Sequence, residues 1–210
     1  MKLKKKNVWK LVAGIALLII GIIIIVSSIN NANKKNNTTG ENMPNTKEIV
    51  VFETTEGNIE VELNREKAPI TVDNFVKYVN AGFYDGLVFH RVMDGFMIQG
   101  GGFTPDGNQK KTNPPIEIES NNGLKNELGT IAMARTNDPN SATAQFFINV
   151  VNNSFLNYAP GNPGYTIFGK VISGMDVVNK IKTVKTGVKR TPVGSMIDWQ
   201  KMKRKVSYFI

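Results

Sequence analysis

A guanidinium, a thioether, aromatic rings and a carboxamide lie close together in one short stretch of the sequence, Phe89–Gly102. A Met-Asp-Gly run in its middle predicts a tight turn between two strands, because glycine adopts positive φ angles at little cost. Side chains alternate along a strand, so we expect Arg91 to share a face with Phe89, and Met97 to share a face with Gln99. Taken alone, such a hairpin is more often a half-buried structural unit with one solvated arginine.

The composition excludes several classes of site. The chain of 210 residues has no cysteine and a single histidine, which excludes disulfides, thiol nucleophiles, cysteine metal sites and multi-histidine metal clusters. The net charge of +9 is unevenly distributed, since seven lysines and one glutamate give +6 in residues 1–46 and leave +3 for residues 47–210. This distribution argues against nucleic-acid binding by the larger part of the chain.

The N-terminal part of the chain predicts three segments. Residues 1–10 are a basic cytoplasmic N-terminus, residues 11–29 a transmembrane anchor or signal segment, and residues 30–46 a flexible polar stalk. The apolar run would be about 28 Å long as a helix, close to the ~30 Å of a bilayer core. It exceeds the ~7–15 apolar residues of a cleaved signal, which favours a retained anchor over secretion after cleavage. The lysines before it place everything after residue 29 outside the cytoplasm, on a single-pass protein of the cell membrane.

Residues 47–210 predict one globular domain of many short strands and two helices. Alternating apolar residues predict strands at Ile49–Thr54 and Asn58–Leu63, and Pro69 predicts the start of a helix that ends near Gly82. Ser173 is the predicted N-cap of a second helix over residues 174–183. Further strands are predicted at residues 116–119, 129–135, 145–150, 165–172 and 195–201. This pattern is typical of an all-β sandwich or barrel.

The hairpin string F-H-R followed by G-F-M-x-Q-G-G resembles the signature of the cyclophilins, which are peptidyl-prolyl cis-trans isomerases, and matches it at every one of these positions. Three further blocks resemble the family in the same order: GTIAMA at residues 129–134, AQFFI at 144–148 and YTIFGKV at 165–171. The resemblance extends over about Glu48 to Trp199. It implies a mainly β fold, an eight-stranded antiparallel closed barrel capped by two α-helices, here in a bacterial-type, membrane-anchored member.

The same resemblance implies an isomerase that needs no cofactor and no metal. The residues that it assigns to catalysis are Arg91, Phe96 and Gln99. Those that it assigns to substrate binding are Met97, Ala134, Arg135, Gln145, Phe147, Phe155, Leu156 and Tyr165. We expect Phe96, Met97, Phe147 and Leu156 to form the pocket for the prolyl ring. Arg91 would donate to the prolyl carbonyl and toward the prolyl nitrogen, Gln99 would orient Arg91, and Gln145 would hold substrate backbone. His90 is expected to be structural, because the reaction needs no proton transfer.

Three positions depart from the pattern of animal cyclophilins. Phe155 stands where these often have tryptophan, and Tyr165 stands where they have a pocket histidine. The resemblance therefore implies weak cyclosporin binding. Arg135 stands where an asparagine is common, and a bulky cation at that position is expected to alter the peptide preference.

The expected partners are proline-containing polypeptides and, through the N-terminal helix, the membrane; the protein is expected to be monomeric and to bind no nucleic acid. A second hypothesis is a chaperone or scaffold that binds proline-containing segments with little turnover. A third is nucleic-acid binding through the lysines of Lys180–Arg190 and Lys201–Lys205, but these suit solvated faces or contact with anionic lipid. The retained Arg91 and Gln99 favour the enzyme.

Overall fold

The computed structural model describes residues 47–184 and the backbone of residues 200–201 and 205–209. The predicted segments 1–10, 11–29 and 30–46 lie outside the described residues. Within the described residues, no helix combines the length and the apolar character that a membrane crossing requires.

The described residues form ten strands, two α-helices and one short 3-10 helix. The strands are β1 (Ile49–Thr54), β2 (Gly57–Leu63), β3 (Val88–Phe89), β4 (Arg91–Met93), β5 (Met97–Gly100), β6 (Thr130–Met133), β7 (Phe146–Asn149), β8 (Ile167–Ser173), β9 (Gln200–Lys201) and β10 (Lys205–Phe209). The helices are α1 (Pro69–Asn80) and α2 (Met175–Lys182), and the 3-10 helix is Ser154–Leu156. The strand predicted at residues 116–119 is reduced to one isolated bridge between Ile116 and Ala142.

Eight strands form one antiparallel sheet in the order β10-β1-β2-β8-β6-β7-β5-β4. The sheet curls into a half-barrel, and the prediction of a closed barrel is wrong for the described residues, because no ladder joins β4 to β10. The segment directly before β4 does not extend this sheet. It forms β3, which pairs with β9 in a separate two-stranded sheet.

The alternation of side chains gives the sheet an inner and an outer face. On the inner face, Phe52, Phe146 and Phe168 surround Phe75 of α1, with ring centroids 5.0–6.1 Å from it. All four rings are fully buried, so this face is the main core. The outer face of β5, β6, β7 and β8 belongs to a second, smaller cluster, in which residues of the loops also take part.

The start of helix α1 agrees with the prediction, whereas the predicted N-cap of helix α2 does not. Helix α1 starts at Pro69, and the carboxylate of Glu119 accepts hydrogen bonds from the backbone nitrogens of Ile70 (3.0 Å) and Thr71 (2.8 Å). Helix α2 is preceded by Gly174 with φ +87°, and the predicted Ser173 cap is wrong. A side chain at Gly174 would collide with the backbone of Asn58, so only glycine fits at this helix start.

Candidate active site

One row of cross-strand neighbours crosses the outer face of the sheet. The paired residues, strand by strand from β4 to β8, are Arg91, Gln99, Phe147, Ala132 and Ile167. Because directly opposite residues in an antiparallel sheet point to the same side, the hairpin places Arg91 and Gln99 beside the Phe147 ring. The β4–β5 turn contains Gly95 at φ +76°, as the sequence predicted.

Arg91 does not share a face with Phe89, contrary to the expectation from strand periodicity. Phe89 is buried in the main core, whereas Arg91 is exposed. The strand is interrupted at His90, which separates β3 from β4 and shifts the alternation by one residue. This interruption turns the guanidinium to the outer face.

The outer cluster is the apolar patch formed by the buried residues of the outer face. Its members are Met97, Ala132, Phe147, Leu156 and Ile167, with Phe96, Leu124, Ala134 and Tyr165 packed against them at partial burial. Every residue predicted for the prolyl pocket thus belongs to this one cluster. Leu124 was not predicted, since nothing in its local sequence distinguishes it from an ordinary loop residue.

Arg91 lies at the edge of the outer cluster with its hydrogen-bonding capacity unused. Its Cζ is 5.7 Å from the centroid of the Phe96 ring, and its guanidinium donates no hydrogen bond to any residue that the structure describes. The Phe96 ring stacks on that of Phe155 at 5.6 Å and 25°. Phe155 is 65% exposed, so it forms an open aromatic wall next to the cluster. The site therefore combines free cationic donors with an accessible apolar surface.

The side chains of the two glutamines of the site, Gln99 and Gln145, are hydrogen-bonded to each other. Gln99 Nε2 donates to Gln145 Oε1 at 2.9 Å, and Gln99 makes no hydrogen bond to Arg91 among the described residues. Gly102 lies directly against Gln145, because a Cβ at this glycine would be 2.8 Å from the Cγ, Cδ and Nε2 of Gln145. The glycine-rich end of the predicted hairpin thus leaves room for the carboxamide of the neighbouring strand.

Tyr165 and Arg135 close the other side of the outer cluster. The Tyr165 ring meets the Phe147 ring edge-on at 5.6 Å, and Arg135 Cζ lies 4.5 Å from the Tyr165 centroid. Ala134 precedes Arg135 at partial burial, and its backbone nitrogen donates to Gln145 O at 2.9 Å. All the predicted site residues therefore lie on one surface, and their individual roles stay predictions.

His90 is buried beneath this surface. The imidazole is 4% exposed, and its ring centroid is 4.6 Å from that of Phe103. Burial lowers the pKa of His90 to about 4, and the charge of Arg91 acts in the same direction, whereas the backbone of Val88 and the side chain of Gln145 oppose it. A neutral, buried imidazole agrees with the structural role that the sequence suggested.

A buried asparagine network joins the two ends of the outer cluster, and sequence reasoning missed it. Asn153 Nδ2 donates to the carbonyl of Phe96 (2.9 Å) and to Asn149 Oδ1 (2.7 Å). Asn149 Nδ2 then donates to Asn126 Oδ1 (3.1 Å), and Asn126 Nδ2 donates to the carbonyl of Leu156 (3.0 Å). Asparagines at the ends of apolar runs were the only signal, and they are equally common in turns. The network holds Phe96 and Leu156 at a set separation.

The arrangement suits recognition of an uncharged, partly apolar group with a hydrogen-bond acceptor. Among the described residues, no group of three or more His, Asp or Glu side chains is placed to hold a metal ion. Free guanidinium donors beside the outer cluster fit a prolyl ring and its carbonyl.

A profile of the family described as "Cyclophilin type peptidyl-prolyl cis-trans isomerase/CLD" matches residues 49–200 of the chain. The chain belongs to the cyclophilin family. A peptidyl-prolyl cis-trans isomerase of Streptomyces antibioticus is 58% identical over 144 residues, which are 67% of this chain and 87% of that protein. Peptidyl-prolyl cis-trans isomerase B of Escherichia coli is 56% identical over 142 residues, which are 66% of this chain and 87% of that protein.

The fold of this cyclophilin agrees with that of a solved relative. A Cryptosporidium parvum cyclophilin, crystallised in the presence of the dipeptide Ala-Pro, superposes with a TM-score of 0.61 at 26% identity, covering 77% of this chain and 99% of that one. This cyclophilin is therefore a peptidyl-prolyl cis-trans isomerase, as the sequence predicted.

Proposed function

We propose that this cyclophilin accelerates X-Pro isomerisation by placing the prolyl ring on the outer cluster, between Phe96 and Phe147, with Arg91 donating to the prolyl carbonyl and toward the prolyl nitrogen. The observation that supports this assignment most directly is the exposed Arg91 guanidinium, which has no hydrogen-bond partner among the described residues and lies at the edge of the cluster.

The chemistry needs no covalent step. Rotation about a peptide bond is opposed by a barrier of ~18–20 kcal/mol, which arises from resonance between the nitrogen lone pair and the carbonyl. A donor directed at the prolyl nitrogen favours its pyramidal form, which weakens that resonance. The desolvated apolar surface strengthens this interaction further. A reduction of the barrier by ~7 kcal/mol corresponds to about 10⁵-fold acceleration.

Gln145 and Gln99 form the polar side of the proposed site. Their mutual hydrogen bond orients the carboxamide of Gln145, whose remaining amide groups can bind the backbone of an extended peptide. In this proposal Gln99 acts through Gln145 as a positioning residue, and Arg91 is oriented by the Phe96 ring.

The rate of cis-to-trans conversion of a proline-containing peptide tests the mechanism. With the full-length chain in a mild detergent, we expect Arg91→Ala to lower kcat/KM for cis-to-trans conversion by about 10²–10³-fold, the usual effect of removing one preorganised donor. Lys77→Ala, which removes an exposed cation from helix α1, is the matched control and should retain full activity. If Arg91→Ala keeps the wild-type rate while Lys77→Ala does too, the assigned role of Arg91 is wrong.

The alternative is a module that binds proline-containing segments with little turnover. The partly exposed stack of Phe96 and Phe155 favours this alternative, since an open aromatic wall can hold a peptide without contacting the amide. NMR exchange spectroscopy separates the two functions: saturable peptide binding without enhanced cis–trans exchange would support the binding module and contradict the catalytic mechanism.

We also propose a cellular location for the isomerase domain. The apolar run of residues 11–29, with lysines before it, supports a single-pass anchor in the cell membrane and an isomerase domain that meets folding proteins outside the cytoplasm. Cell fractionation followed by protease treatment of intact cells tests this: the full-mass protein should pellet with membranes and be cut from outside. Full-mass protein in the soluble fraction would contradict the anchor, and shortened protein in the medium would indicate secretion.

A further inference from the structure

Arg135 is held in one orientation by its own domain. Its Nε and Nη2 donate to the carbonyl of Gly164 at 3.0 and 2.8 Å, and its Nη1 donates to the carbonyl of Thr136 at 2.8 Å. The guanidinium also stacks on the Tyr165 ring, with Cζ 4.5 Å from the centroid. Ordering a long side chain normally costs conformational entropy on binding, and here the fold has already met that cost.

The charge of this guanidinium is not neutralised by the residues that the structure describes. It contacts neutral carbonyls and a ring, and the ion pairs among the described residues are made by other side chains. Two acidic residues of this region make no ion pair with it: Glu117 lines the same small cavity as Arg135, and Asp138 Oδ1 accepts from the backbone nitrogen of Asn140. Of the five N–H groups of a guanidinium, three are engaged and two remain for a ligand.

The sheet order places Arg135 on the side of the outer cluster opposite to Arg91. Arg91 is on β4, at the edge of the sheet, whereas Arg135 follows β6 by two residues, beyond β5 and β7. Tyr165 bridges the distance, because its ring contacts both Phe147 and Arg135. An extended peptide that lies across the outer cluster from Arg91 therefore passes Phe147 and Tyr165 before it reaches Arg135.

We infer that Arg135 forms a subsite for an acidic side chain, Asp or Glu, in the substrate residues just before proline. The inference rests on the proposed function, with the substrate residues before proline extending from Arg91 across the outer cluster toward Arg135. A substrate carboxylate would accept from the two remaining N–H groups without displacing the bonds to Gly164 and Thr136. A partly exposed pair of this kind is expected to raise kcat/KM by about 3–10-fold.

A matched peptide series tests the subsite in the full-length chain in detergent. The peptides differ only by Glu, Gln or Lys at the residue before proline or at the one before that, and the quantity compared is the ratio of kcat/KM for Glu to that for Gln. We expect a ratio of about 3–10 at one of these positions for the wild-type chain, falling toward 1 as salt is raised from ~0.05 to ~0.5 M.

Two variants assign the preference to Arg135. Arg135→Gln should bring the ratio to about 1, and Arg135→Glu should reverse it in favour of Lys. Lys125→Gln removes the same charge from an exposed residue next to Leu124 and should leave the wild-type ratio unchanged. Because each ratio is measured within one variant, a general loss of activity caused by a misplaced Tyr165 cancels out.

The outcomes separate the subsite from the proposed function. A wild-type ratio near 1 at both positions, or a ratio that survives Arg135→Gln, overturns the acidic subsite while isomerisation of the Gln peptide leaves the catalytic assignment intact. A ratio lost equally in Lys125→Gln shows a general field rather than a site, and it overturns the inference too. If no peptide is isomerised, the proposed function fails and the subsite fails with it.

Discussion

Acidification tests the burial of His90 quantitatively. The imidazole is 4% exposed, its Nδ1 has no hydrogen-bond partner among the described residues, and its ring packs against Phe103. Protonation would place a charge in this apolar site, which is why burial lowers the pKa of His90 from 6.5 to about 4. The perturbation is a change of pH across that interval.

The sign and size of the effect follow from proton linkage. Between the two pKa values the unfolded chain binds more protons than the folded one, so the free energy of unfolding falls as the pH falls through 6.5 toward 4. The difference in pKa corresponds to roughly 3 kcal/mol in total, of which about 2 kcal/mol is lost between about pH 7 and about pH 5. The contribution is fully present above the unfolded pKa.

The chain contains a single histidine, so one imidazole resonance in an NMR titration reports this pKa without assignment, provided that no histidine tag is added. Urea unfolding at about pH 7 and about pH 5 then compares the wild-type chain with His90→Gln, which does not titrate. We expect the wild-type chain to lose about 2 kcal/mol more than the variant. A resonance that titrates near 6.5, or equal losses in both chains, would refute the argument that burial dominates.

Two further changes test the supports of the site and of helix α1. Gly102→Ala places a Cβ 2.8 Å from the Gln145 side chain and must displace it, so we expect kcat/KM to fall about 10-fold, with no further loss when Gly102→Ala is added to Gln145→Ala. Glu119→Ala removes the acceptor for the backbone nitrogens of Ile70 and Thr71, and should lower the free energy of unfolding in urea by about 1–2 kcal/mol. The control Glu117→Ala, at an exposed position, should change this free energy little. Equal effects of the two substitutions would contradict the capping role of Glu119.

The β4–β5 hairpin shows how far local pattern reaches. Its turn, its glycine and the pairing of its two strands follow from residues that are neighbours in the chain, and all three were predictable. The face on which Arg91 lies was not predictable, since it depends on the break at His90. That break reflects the packing of His90 against Phe103 and the pairing of β3 with β9, both with partners distant in sequence.

Helix α1 and the asparagine network show the same division. Pro69 and the apolar spacing that follows it located the helix, but its N-terminal acceptor is Glu119, about fifty residues further along the chain. Asn126, Asn149 and Asn153 became a single network only when β7 and two loops came together. The prediction of a closed barrel was wrong for a related reason. Whether the edge strands β4 and β10 pair with each other depends on long-range contacts, which local sequence patterns do not reveal.

The sequence by itself determined the family, both helices and most of the strands, and the types of side chain available for catalysis, because periodicity and short motifs depend on adjacent residues. Only the tertiary structure decided which of these side chains face one another. It turned the Arg91 guanidinium outward, joined Gln99 to Gln145 by a hydrogen bond, and held Arg135 by hydrogen bonds to Gly164 and by stacking on Tyr165. Those contacts join residues far apart in the chain, and packing and hydrogen bonding across the sheet, not local preference, select them.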